Sequence, residues 1–242
     1  MLFKKSTKKP KNKLCAETHL QFEGVTKQMT TLSLSQAGQD VFPRYILARK
    51  GTYLDIGSYR PTVHNNTMTL EMEGWKGLSL DCRDYSEEFK TKRTNPFMHA
   101  DVTTVNWDTV MNDHPFLKNG VDYISFDVDE ATRLTVDHFP WDTIRFGTMT
   151  IEHDQYRFGV ETRDHIRKTL WAHGYMLVCS DVVMPDAPHE KYGPFEDWWV
   201  DPSQVNAERV NAIRCDNFTY LEIFKLIDPK PYAFYCPPLS YD

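Results

Sequence analysis

Carboxylates recur along this chain at the ends of short apolar runs: Asp55, Asp81, Asp101, Asp127 and Glu152. Asp55 is followed by Ile56-Gly57, and a glycine turn after a strand lets a ligand approach the backbone closely. Asp81 closes the next run, where an acid can accept hydrogen bonds from ribose hydroxyls. Asp101, beside Val102, is placed to accept from the amine of an adenine ring. This order calls for a nucleoside ligand. A dinucleotide is disfavoured, because the turn lacks G-x-G-x-x-G: Tyr59 and Arg60 follow Gly57-Ser58 and deny a diphosphate its tight packing. A nucleoside without phosphates, S-adenosyl-L-methionine, fits: Asp55 takes its ammonium and Gly57 gives room. Cys82, next to Asp81, reads as pocket lining rather than as a reactive thiol. The plainer reading of any single acid is a cap on the helix that follows; the ordered series favours the ligand.

A second constellation is Asp127, Asp129, Glu152 and His153. Carboxylates at the ends of adjacent parallel strands converge on one cleft and raise one another's pKa. Three readings stand. A divalent cation would relieve the repulsion; hard oxygen ligands suit magnesium, and a histidine admits manganese. Without metal, His153 would act as general base, oriented by Asp127 or Glu152. The third reading is a hydrogen-bonded cluster with only a structural role.

The elements that must hold these residues are short strands alternating with helix-length segments. Strands are expected at 52–56, 77–80, 97–100, 123–126, 148–151 and 175–180, with helices at about 65–73, 85–93, 104–112, 130–138 and 160–173. Gly174 is a plausible helix C′ residue. A helix over Ser35–Arg49 would open on Ser35 as N-cap, and Pro43 would end its first part. From Asp181 to about Asn206 the chain reads as a long loop carrying His189, Tyr192 and Phe195-Glu196-Asp197-Trp198-Trp199. Its Trp198 and Trp199 could stack on a sugar or another planar acceptor, or pin the loop to the body. Phe218–Leu226 reads as a closing β-run. Such alternation demands a mainly parallel sheet with right-handed crossovers and ligands beyond the strands' carboxyl ends.

Composition bounds the rest. The 242 residues suffice for one α/β core. No run approaches the ~20 apolar residues of a membrane span, and the basic N-terminus lacks the apolar block of a secretory signal. Five scattered cysteines suggest neither a disulfide framework nor a zinc site, and a cytoplasmic setting is the simplest expectation. Residues 1–13 hold six lysines and no acid, so of 28 basic and 34 acidic side chains the remainder keeps 22 and 34, a net of −12. The tail could touch nucleic acid or anionic lipid, though solvated disorder is the plainer reading. An acidic body argues against nucleic acid as substrate. Residues 1–34 are expected to form a tail and lead-in, and 35–242 one domain. The sequence specifies no oligomeric state.

Several segments together are similar to the FkbM family of S-adenosyl-L-methionine-dependent methyltransferases. They are Ser35-Gln36-Ala37-Gly38-Gln39-Asp40, Tyr53-Leu54-Asp55-Ile56-Gly57, Asn66-Thr67, Leu70-Glu71 and Gly74-Trp75-Lys76-Gly77, then Asp122 to Asp129 and Ile151-Glu152-His153. The family's glycine after the turn is Arg60 or Pro61 here, and its Glu-Pro after strand two is Asp81-Cys82. The resemblance implies a class I methyltransferase fold: α/β, Rossmann-like, a mostly parallel seven-stranded sheet with helices on both faces and an antiparallel last strand. It implies cofactor contacts from Asp55, Gly57, Ser58, Asn66, Thr67, Asp81, Cys82, Asp101, Val102 and Asp127, and an entrance lined by Gln39. The layout also looks similar to metal-dependent catechol-type O-methyltransferases, whose ligands would fall on Asp127, Glu152 and His153. The expected reaction is O-methylation of a sugar, glycan or small-molecule hydroxyl, with Asp127, Glu152 and His153 as catalytic candidates and Gln39, Asp129, Trp198 and Trp199 facing the acceptor. The alternatives are a catalytically silent S-adenosyl-L-methionine-binding protein, an RNA methyltransferase anchored by the lysine tail, and a nicotinamide oxidoreductase.

Overall fold

A computed structural model describes residues 32–185 and 193–228, together with the backbone of 233–234. The lysine tail, His189 and Tyr192 lie outside the described residues. In chain order the strands are β1 (Leu32–Ser33), β2 (Thr52–Ile56), β3 (Lys76–Asp81), β4 (Phe97–His99), β5 (Val121–Phe126), β6 (Phe146–Glu152), β7 (Met176–Val182), β8 (Glu196–Val200), β9 (Cys215–Asp216) and β10 (Ala233–Phe234). Eight of them form one sheet in the order β4-β3-β2-β5-β6-β8-β7-β9, and β1 pairs with β10 apart from it. The main sheet thus has one strand more than the seven expected.

β8 runs antiparallel to both its neighbours; every other pairing in the main sheet is parallel. The strand order reverses direction between β2 and β5, and ligands of such sheets sit in the crevice at that point.

Side-chain alternation divides the core. Leu54 and Ile56 of β2, Leu78 and Leu80 of β3, and Ile124 and Phe126 of β5 bury against one face. That face is covered by helices Trp107–Asp113, Thr132–His138 and Val160–Ala172, through Val110, Val136, Ile166 and Leu170. Tyr53 and Tyr123 point the other way, onto Leu70 and Trp75. Asp55 shares the face of Tyr53, two residues on, and so enters a polar layer beneath helix Met68–Met72.

Three segments depart from expectation. The first helix is Val41–Leu47, capped at Asp40 rather than Ser35. The Ser35 hydroxyl instead donates to Asp40 at 2.8 Å. Pro43 lies in the helix's first turn, where its missing N–H costs nothing. The second departure is inside the expected loop, where residues 196–200 form the interior strand β8. Trp198 packs on Phe42, ring centroids 5.1 Å apart, and Trp199 on Trp171 at 5.8 Å, from opposite faces of the sheet. Third, Tyr220–Ile227 is a helix, not a strand. Its Thr219 and Glu222 form a reciprocal capping box, a T-x-x-E signal present in the sequence.

Candidate functional site

The crevice between β2 and β5 is built around Asp55, which is only 1% exposed. Its carboxylate accepts a 2.7 Å hydrogen bond from the Thr67 hydroxyl. Burial pushes its pKa up to about 6, a rise that Thr67 and Arg93 oppose and the nearby Asp127 reinforces. Asn66 donates to Ser125 Oγ at 2.8 Å, and Ser125 is the register partner of Asp55 on β5. The buried Asn66 Oδ1 and Ser58 Oγ have no protein partner. Orphaned buried polar atoms call for a ligand or water.

Gly57 is required, though for a different reason from the one expected. It adopts φ +79°, and a Cβ there would lie 1.5 Å from the Asp127 carbonyl oxygen. The close approach is therefore that of β5's own backbone. Asp81 accepts from the backbone N–H groups of Tyr59 and Arg83, both at 2.8 Å, so it clamps the two turns that frame the crevice. A carboxylate offers about four lone-pair sites, which leaves capacity for hydroxyls.

The remaining residues expected around the base divide. Asp101 is exposed and caps its own turn through Thr103 N–H at 2.9 Å and Thr103 Oγ1 at 2.6 Å. Those two bonds hold its pKa below the usual value. Val102 is 5% exposed and belongs to the hydrophobic core rather than to a pocket wall. Cys82 is exposed.

Past the end of β5, Asp127 lies near Glu152 at the end of β6, close enough for its charge to raise the Glu152 carboxyl. Burial first, then the charges of Asp129, Asp154 and Asp81, pushes Asp127 up to about 6. Burial and Asp127 hold Glu152 well above the carboxylate range. Neighbouring carboxyls of this kind titrate as a pair.

His153 does not join them. Successive residues leaving a strand face opposite ways, and the buried imidazole turns toward β7 and β8. Its Nδ1 accepts from Gln155 N–H at 3.2 Å. Its Nε2 lies 3.5 Å from Asp197 Oδ1 and 3.9 Å from Asp181 Oδ1. Arg167 already spans Asp197, with two 2.8 Å hydrogen bonds, and reaches Asp181 at 3.0 Å. Among the described residues, His153, Asp181 and Asp197 are the one set of side chains whose ligand atoms converge as a metal needs. A guanidinium occupies its charge. The set Asp127, Glu152 and His153 does not converge in that way.

The expected acceptor residues also separate. Trp198 and Trp199 are fully buried in β8 and present no stacking surface, because an interior strand is covered on both faces. Gln39 is buried and donates to Glu196 at 3.2 Å, while Trp198 Nε1 donates to the same carboxyl at 2.7 Å. Asp129 is exposed, sits at φ +48° and pairs with Arg157, which also binds Asp154.

Motif reading gave two residues of the site no role. Glu196 is the cross-strand partner of Glu152, and burial pushes its pKa up to about 8. Buried Arg93 donates to Glu71 (2.6 Å), Asn65 (2.9 Å), Tyr53 (2.9 Å) and Thr67 (3.1 Å), and so holds the segment that presents Asn66 and Thr67 to the crevice. A lone arginine before Thr-Asn-Pro carries no sequence signal. The acid beside a tryptophan pair was visible, but its burial was not.

No protein-family model matches the chain, and no curated protein matches it. Solved structures share its outline. A putative SAM-dependent methyltransferase from Streptococcus mutans is 14% identical over 67% of this chain and 47% of that one, TM-score 0.47; the chain matches about half of that protein's length. A TehB-like SAM-dependent methyltransferase from Corynebacterium glutamicum is 11% identical over 77% of this chain and 95% of that one, TM-score 0.45. Cofactor-bound Rv0187 from MTB is 11% identical over 81% and 92%, TM-score 0.44. The fold is α/β and Rossmann-like, of the class I methyltransferase type. That assignment rests on the strand order, with antiparallel β8 between β6 and β7. No described helix is long and apolar enough to cross a membrane.

Proposed function

We propose that this chain is an S-adenosyl-L-methionine-dependent methyltransferase that methylates a hydroxyl of a sugar, glycan or other small molecule. The observation that carries the reading is the crevice at the β2/β5 reversal, which holds buried Asp55 bonded to Thr67, and in which Asn66 Oδ1 and Ser58 Oγ are buried without partners. Those atoms suit a cofactor that brings its own ammonium, carboxylate and hydroxyls. Asp55, with Thr67 and Asn66, would hold the amino-acid end, and Asp81 the ribose. When bound, the cofactor supplies an electrophilic methyl group.

The chain's own part in the chemistry is proton handling and positioning. Asp127 and Glu152, sharing one proton, form a half-buried base that can receive the acceptor's hydroxyl proton as the new C–O bond forms. His153, turned toward Asp197 at 3.5 Å, orients the β6–β8 junction instead. Acceptor selection by hydroxyl hydrogen bonds fits a rim of carboxylates, Asp129 included.

Titration calorimetry tests the reading directly. S-Adenosyl-L-methionine should bind with micromolar or tighter affinity and NAD should not; tight NAD binding would end it. Asp55→Ala should weaken the cofactor at least about ten-fold, the ~1.4 kcal/mol of one charged hydrogen bond.

A further inference from the structure

Cys179 of β7 and Cys215 of β9 are register partners on adjacent parallel strands. Lateral partners carry their side chains on the same face of a sheet, and neighbouring strands lie ~4.8 Å apart. That separation falls within the ~4.4–6.8 Å that a disulfide can span between Cα atoms. Both thiols are free. Cys179 Sγ donates to the Ile213 carbonyl at 3.4 Å, two residues before Cys215. Cys179 is fully buried, whereas Cys215 is partly open to solvent on the sheet's outermost strand. An accessible sulfur with a shielded sulfur beside it is the arrangement of a peroxide-sensing pair.

We propose that Cys179 and Cys215 are a dithiol switch that a hydroperoxide closes into a disulfide, locking the β7–β9 edge of the sheet. The Cys215 sulfur attacks the peroxide O–O bond and becomes a sulfenic acid, and the departing hydroxide leaves as water. The Cys179 sulfur then attacks the Cys215 sulfur, expelling a second water. Two thiols and one peroxide give one disulfide and two waters, so both electrons come from the sulfur pair. The division of roles follows from the site. Cys215 is partly open to solvent, whereas Cys179 is fully buried and burial raises its thiol pKa, so Cys215 is the nucleophile.

The lock acts where β9 hands the chain to its last helix. Val183 N–H donates to the Phe218 carbonyl at 3.0 Å, and Tyr220 N–H to the Val183 carbonyl at 3.3 Å. A bridge one step upstream would hold that junction closed. A bridge at the short end of the disulfide Cα range stays reducible by dithiols. This inference is independent of the methyltransferase reading.

The full-length protein, treated with hydrogen peroxide and then blocked with N-ethylmaleimide under denaturing conditions, is digested without reductant and analysed by mass spectrometry. The expected result is a Cys179–Cys215 cross-linked peptide, loss of both thiols to alkylation, a raised melting temperature, and full reversal by dithiothreitol. Cys215→Ser should remove the cross-link while exposed Cys82 keeps its reactivity. The proposal is overturned if both thiols remain alkylatable after Cys82 has been oxidised. It is equally overturned if Cys215 proceeds to a sulfinic acid unbridged, or if either cysteine pairs instead with Cys15, Cys82 or Cys236. The wild-type measurement needs no variant, so a misfolded mutant cannot obscure the answer.

Discussion

Arg93 sets the order of the crevice more than any residue that faces it. Its guanidinium is wholly buried, with Glu71 as counter-ion at 2.6 Å. Replacement by Met would strand the Glu71 carboxylate and release Thr67 from one of its donors. Breaking a buried ion pair from one side costs about 3–5 kcal/mol, so Arg93→Met should unfold at markedly lower urea, and a loss under about 1 kcal/mol would refute the keystone role. Glu196 leads to a pH prediction. Its pKa is raised from 4.5 to about 8, chiefly by burial. A carboxyl raised on folding binds its proton more tightly in the native state. Its contribution is therefore fully present below the unfolded value and is lost as pH rises through about 8. Melting temperature should fall between about pH 5 and pH 9 on this group's account, and Glu196→Gln should flatten that slope. An unchanged slope in the variant would assign the dependence elsewhere.

At the scale of elements, β8 and the last helix decide how the sheet is completed. β8 accommodates two buried acids because each finds partners: Asp197 has Arg167, and Glu196 has Gln39 and Trp198. Burial alone would raise the Asp197 carboxyl, but Arg167 and His153 outweigh it and hold it near 2. The last helix depends on its first turn. Thr219 Oγ1 accepts from Glu222 N–H at 3.2 Å while the Glu222 carboxylate takes Thr219 N–H at 2.9 Å. Thr219→Ala should cost about 1 kcal/mol by chemical denaturation, with Thr219→Ser restoring most of it. Loss of the helix would expose Phe224, which stacks toward Trp198 at 6.4 Å, so near-ultraviolet circular dichroism should register the change.

For the molecule as a whole, the proposed mechanism places its chemical centre on the Asp127–Glu152 pair rather than on a metal. Methyl transfer should persist after exhaustive chelation. Asp127→Asn should abolish turnover while cofactor affinity stays within a few-fold, since Asp55 and Asp81 are untouched. Activity that vanishes with chelator and returns with manganese would restore the metal reading.

Much of this architecture was written locally. The strands at 52–56, 123–126 and 148–151 were legible because each is a short apolar run bounded by turn residues. Of the series Asp55, Asp81 and Asp101, the strand-end positions of Asp55 and Asp81 were legible because strand ends in a parallel sheet all open on one side, whereas the exposure of Asp101 was not. Gly57 was visible as a glycine, though not the carbonyl it has to clear. Tertiary structure alone decided where side chains point and what they meet. His153 follows Glu152 in sequence yet faces away from it, since adjacent residues leave a strand on opposite sides. Glu196-Asp197-Trp198-Trp199-Val200 has no alternation of polar and apolar residues because both its faces are buried, so local pattern called it a loop. Arg93 and Thr67 meet across 26 residues, and no spacing rule encodes that contact. The sequence by itself determined the scaffold and the crevice, because those depend on period and turn chemistry. The donor set, the turn of His153 toward Asp181 and Asp197, and the thiol pair arise only from packing, which brings together residues that are far apart in the chain.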